Sequence, residues 1–196
     1  MTTRSLTVFV ALICLFSVSS AQLTEAQMKE SDQILTKIRQ MELYNQLLPV
    51  LFKPDEARAL LPILERHRAE ARKIEQSEHK MLRPLDKDLD DVIKRAQEKG
   101  ELPDQKVMKH ALNLFRTFEM VRKALLDATA QELIQTMRQT LDEGQVRAAT
   151  NAINPREFDP SLDPEKMTED EKLVLWVKVV LMDSLAYDIM LGFSRK

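Results

Sequence analysis

The stretch PDEARALLPILERHRAEARKIEQSEHKMLRPLDKDLDDVIKRAQEK, Pro54 to Lys99, decides the fold class. Proline stands at its first position, where a missing amide hydrogen does no harm, and Asp55 and Glu56 sit beside the positive end of a helix dipole. Leu60, Leu64, His67, Ala71, Ile74, His79 or Met81, Leu82, Leu85, Leu89, Val92 and Ala96 recur mostly three or four residues apart, so one long face is apolar. The spacing therefore predicts a very long helix from Pro54 to Lys99. Pro62 and Pro84 interrupt it and predict bends, with a break near Pro84. Gly100 supplies the left-handed residue that ends it.

The flanking segments follow the same rules. Met28, Ser31, Ile34, Leu35, Ile38, Met41 and Leu43 predict a first helix from Glu25 to Leu48, closed by Pro49. After Pro103 and Asp104, a third helix runs to Thr140, with Val107, Met108, Ala111, Leu112, Phe115, Phe118, Leu133 and Met137 expected on its inner side. Asp142 caps a short helix that Asn154 and Pro155 stop. Residues 155–168 contain three prolines and no apolar period, which predicts a linker. Thr168 and Glu171 then launch a last helix over residues 169–192, apolar on most of its circumference and ended by Gly192. The expected fold is all-α: an elongated bundle with a long kinked hairpin, coiled-coil-like in its pairing, plus the apolar C-terminal helix. Residues 22–154 form the helical domain, on which, or on a partner, the C-terminal helix packs.

The N-terminus reads as a secretory signal. Arg4 precedes the apolar run from Ser5 to Val18, and small residues stand at Ser19 and Ala21, which predicts cleavage after Ala21 and a periplasmic or secreted mature chain. The run is shorter than the ~20 apolar residues a membrane span needs. Cys14 is the only cysteine of the chain, so cleavage leaves no thiol for a disulfide, a nucleophile or a metal ligand. Without Arg4, 28 basic residues face 31 acidic ones, a formal charge of −3, which argues against nucleic acid as a partner. Three glycines in the whole chain leave no glycine-rich phosphate cradle. Lys178 and Asp183 lie near the middle of the last helix, where each would cost about 2.5 to 3.5 kcal/mol in lipid, so burial in protein is expected there.

No catalytic constellation is visible, and no enzyme activity, cofactor or metal is expected. Glu75 and His79 lie four apart on one helix, but Lys73, Lys80 and Arg83 crowd them and no second helix is seen to contribute ligands. His110 has Lys109 beside it and Lys106 one turn before, which disfavours its charged form. The acids Asp86, Asp88, Asp90 and Asp91 alternate with Lys87 and Lys94 and read as solvated charge.

The sharpest motif is a repeated helix start. Leu23, Thr24 and Gln27 form one copy, Leu141, Asp142 and Gln145 a second, and Phe52-Lys53-Pro54-Asp55-Glu56 a degenerate third. In the first two the cap accepts from an amide of the first helical turn while the Gln returns to the cap amide; in the third, Lys replaces the cap and Glu the glutamine. The arrangement resembles the Spy/CpxP-like family of periplasmic helical proteins, whose LTxxQ motif opens helices of a small all-α fold. The second copy carries Asp142 where that motif has Thr. The resemblance implies a chaperone-like, envelope-stress role, in which a helical cradle, often a homodimer, holds unfolded or partner proteins without nucleotide. The alternative is a structural or assembly subunit of a secreted complex that docks through its C-terminal helix. Trp176, Leu181 and Tyr187 are then the expected protein-binding surface, and protein clients or partner subunits are the expected partners.

Overall fold

A computed structural model of the chain describes residues 24–195, and every regular element among them is helical. The expected signal segment, residues 1–21, and Leu23 of the first motif copy lie outside the described residues. By its internal contacts the chain divides into residues 1–39 and residues 40–196. The boundary falls within the first helix, α1 (Glu25–Leu47). In the first part, Thr24 caps α1, and every residue from Thr24 to Ile38 is exposed.

In the second part, Pro49 ends α1 as expected, and a 3-10 turn (Leu48–Val50) leads to Leu51 in the left-handed region at φ 54°. The long helix follows in two pieces, α2 (Pro54–Leu82) and α3 (Leu85–Lys99), parted at Pro84. Pro62 lies inside α2 without ending it. Gly100 closes α3 at φ 65° and its amide returns to the Ala96 carbonyl. Asp104 caps α4 (Gln105–Thr140), and Asp142 caps α5 (Glu143–Asn151). A 3-10 turn at Pro155–Glu157 opens the proline segment. No helix of the described residues is long and apolar enough to cross a membrane.

The C-terminal helix departs from expectation. It is not one helix over residues 169–192 but three pieces: α6 (Glu169–Trp176), a π turn (Val177–Leu181) and α7 (Ala186–Phe193). A rod carries its apolar stripes at a fixed pitch, whereas this segment must turn many apolar residues toward one core. The π turn and the bend before Ala186 re-aim them. Gly192 does not end the segment, since α7 continues to Phe193 and Gly192 has no positive φ.

One core collects the ends of these elements. Leu43 and Leu47 of α1, Leu60 and Leu64 of α2, Leu133 and Met137 of α4, and Ala149 of α5 pack with Leu173, Trp176, Val180, Leu181 and Met190. Phe52 and Phe193 stack at 6.4 Å between ring centroids against this cluster. Farther along, α3 packs against α4, and Leu85 and Val92 of α3 and Ala111 and Phe118 of α4 are buried. Among the described residues the hairpin there consists mainly of these two helices.

Candidate functional site

The helix-start motifs form as read, and two of them join. At the first copy the Thr24 amide donates to Gln27 Oε1 at 2.9 Å and the Gln27 amide donates to Thr24 Oγ1 at 3.3 Å. At the second, the Asp142 amide donates to Gln145 Oε1 at 3.0 Å and the Gln145 amide to Asp142 Oδ1 at 2.9 Å. Lys53 has no acceptor, so the degenerate copy makes only the return half: its amide donates to Glu56 Oε2 at 2.8 Å, and its ammonium lies 3.0 Å from Glu56 Oε1. Gln145 is buried, and its Nε2 donates to Glu56 Oε2 at 2.8 Å and to the Leu51 carbonyl at 3.3 Å. The glutamine thus does two jobs, closing its own helix and tying the start of α5 to the start of α2. Burial opposes ionisation of Glu56, but the Lys53 amide, the Gln145 amide and the Lys53 ammonium together hold its carboxyl below the ordinary range. The junction gives the buried Glu56 carboxylate three donors, the Lys53 amide, the Lys53 ammonium and the Gln145 side-chain amide.

The predicted protein-binding residues are elsewhere than expected. Trp176 and Leu181 are fully buried in the chain's own core, so they offer no surface to a partner, and that expectation is corrected. The reason is the supply of apolar area: the core formed by α1, α2, α4 and α5 is open on one side, and α6, the π turn and α7 close it. Tyr187 is half-buried beneath the Arg68 guanidinium, 4.5 Å from its ring centroid. The buried Trp176 Nε1 finds no acceptor among the described residues. Lys178 of the π turn and Lys123 both pair with Asp127 of α4. Lys123 first and Lys178 second lower that carboxyl to about 2.

Polar ties also set the spacing of α2 and α4. Arg66 pairs with Glu132, His67 Nδ1 lies 3.1 Å from Thr129 Oγ1, and the buried Glu78 pairs with Arg122. Between these ties the helices frame an open groove of about 600 Å³, floored by Ala71, Ile74, Leu125 and Leu126 and rimmed by Glu75, Glu119, Arg122 and Lys123. Burial lowers the pKa of His67, which favours the neutral ring at that edge. His79 and His110 are exposed, and among the described residues no group of three or more His, Cys, Asp or Glu side chains could hold a metal ion.

One accessible apolar surface lies on the distal hairpin, where the sequence reading placed core. Of the residues expected on the inner side of α4, Ala111 and Phe118 are buried, but Met108, Leu112 and Phe115 are exposed. Ile93 of α3 and Leu102 of the connecting loop are exposed as well. Met108, Leu112 and Phe115 recur at four and three residues, so they form one stripe on α4, adjacent to the buried stripe. The sequence signal was present in the width of the apolar face: a helix meeting a single neighbour can bury only about one narrow stripe.

The chain matches no protein-family model, no curated protein and no solved structure.

Proposed function

We propose that this protein is exported and binds unfolded or partner polypeptides in the cell envelope without nucleotide, in the manner of the Spy/CpxP-like proteins that its helix-start motifs resemble. The observation that carries the reading is the row of exposed apolar side chains Met108, Leu112 and Phe115 on α4, with Ile93 of α3 and Leu102 of the connecting loop also exposed. Isolated exposed apolar residues are ordinary, whereas a row at helical spacing is the surface a client's apolar segment adheres to. Thioethers adapt to varied partners, and Met108 places one in the row. The function rests on a helical surface and needs no reacting group.

The test is suppression of aggregation of a chemically unfolded client by the purified protein, without ATP, at near-stoichiometric ratio. Wild type is expected to keep the client soluble. A double substitution, Leu112→Asp with Phe115→Asp, is expected to abolish that effect while leaving the thermal melt intact. Absence of suppression by the wild type would remove the reading. Export is tested separately by N-terminal sequencing of the protein recovered from the envelope fraction, with Gln22 as the expected first residue.

A further inference from the structure

We propose that the groove between α2 and α4 is a binding site for a small cationic amphiphile, an alkyl chain that carries one ammonium head. At about 600 Å³ the groove has the size of a small-molecule site. Ala71 and Ile74 of α2 and Leu125 and Leu126 of α4, all half-buried, make its floor apolar. Two polar ties bracket it along the helices, His67 with Thr129 and Glu78 with Arg122. Between His67 and Glu78, α2 rises about 16 Å, so the trough is long enough for an extended chain. An apolar floor alone would accept any amphiphile. The rim decides the sign of the head.

The two rim bases are already neutralised. Arg122 donates from Nε to Glu78 at 2.7 Å and from Nη2 to the same carboxylate, and Lys123 Nζ donates to Asp127 at 2.6 Å. The two rim acids are not: Glu75 and Glu119 form no ion pair among the described residues, and Glu75 acts on Arg122 only at longer range. Arg116, one turn before Glu119, does not line the groove. Burial keeps the His67 ring neutral, so it adds no positive charge. With the partners of the rim bases counted, four carboxylates face three bases, Lys178 on Asp127 being the third. An anionic head would have to displace Glu78 or Asp127 from its base and sit near unpaired carboxylates. A cationic head instead meets one unpaired carboxylate from each wall, Glu75 of α2 and Glu119 of α4, while its chain covers the apolar floor.

Isothermal titration of the purified protein with decyltrimethylammonium, kept below its micelle concentration, tests this. One molecule is expected to bind per chain, with a Kd on the order of 0.1 mM. Decyl sulfate, with the same chain and the opposite head, and tetramethylammonium, with a cationic head and no chain, are each expected to bind at least about tenfold more weakly. Glu75→Gln with Glu119→Gln is expected to weaken the cation by about tenfold. Glu119→Lys is expected to reverse the preference, so that decyl sulfate binds the tighter of the two. Both sites are exposed, and unchanged thermal melts are expected to accompany these losses. Leu112→Ser with Phe115→Ser, on the exposed row of α4, is expected to leave the affinity within about twofold. Absence of saturable binding, a tighter Kd for decyl sulfate on the wild type, or an affinity indifferent to Glu75 and Glu119 would each overturn the proposal. Loss of binding in the Leu112 and Phe115 variant would do the same, since the chain would then lie on the row. The client assay tests that row, so either reading can fail without the other.

Discussion

The core around Trp176 and the distal hairpin around Phe118 are built on the same two helical layers, yet they differ in what they hide. Around Trp176, α2 and α4 receive a third layer from α6, the π turn and α7, and Leu60, Leu133, Met137, Leu173 and Trp176 are almost wholly buried. Along α3 and the first half of α4 no third layer is present among the described residues. Phe118 is buried there, while its edge-on neighbour Phe115, at 6.5 Å between centroids, is 54 % exposed. The lesson is that apolar content does not set burial. The number of neighbours a helix has sets how many of its stripes are covered.

Substitutions that strike the two regions differently test the comparison. The largest effect is expected from Trp176→Ala, which removes a fully buried indole and should cost about 3 to 5 kcal/mol, read as a loss of denaturation midpoint. A cost under about 1 kcal/mol would show that the C-terminal segment is not part of the cooperative core. Next comes Gln145→Ala, which leaves the buried Glu56 carboxylate short of a donor and should cost about 1 to 3 kcal/mol. Gly100→Ala, at positive φ in the turn between α3 and α4, should cost about 1 kcal/mol. Phe115→Asp should change stability least, by about 0.5 kcal/mol or less. Its effect belongs to client binding, so a large stability loss would mean the distal apolar row is packed in solution.

Acid sharpens the same contrast. Glu56 has a native pKa below its ordinary value of 4.5, so the native state binds its proton more weakly than the unfolded chain does. Its contribution is therefore complete at neutral pH, begins to fade below about pH 4.5, and is lost as pH falls through the lowered native value. Thermal melts of wild type and Glu56→Gln should differ at pH 7 and converge as the pH falls through the lowered native value. Curves that stay parallel would deny the junction its role.

Much of the architecture was legible because it depends on local backbone chemistry. Pro84 cannot donate to a helix ladder and parts α2 from α3 there. Gly100 takes the left-handed conformation other residues resist, and Thr168, Asp142 and Asp104 each cap where a hydroxyl or carboxylate precedes a helical run. The motif at Gln145 was legible as a cap but not as a tie. Its bond to Glu56 spans 89 residues, and nothing in either local pattern specifies that the two helix starts meet. The expected surface at Trp176 and Leu181 failed for a related reason, because an apolar helix needs burial whether its cover comes from its own chain or another.

The sequence by itself determined that the described chain is helical, where most helices start and stop, and which faces are apolar, because propensity, capping and periodicity act within a few residues. Only the tertiary structure decided which apolar faces are covered. It broke the C-terminal segment at a π turn to fill one core and left Met108, Leu112 and Phe115 facing outward. Burial is a competition among surfaces distant in sequence, and its outcome depends on how many helices reach each place.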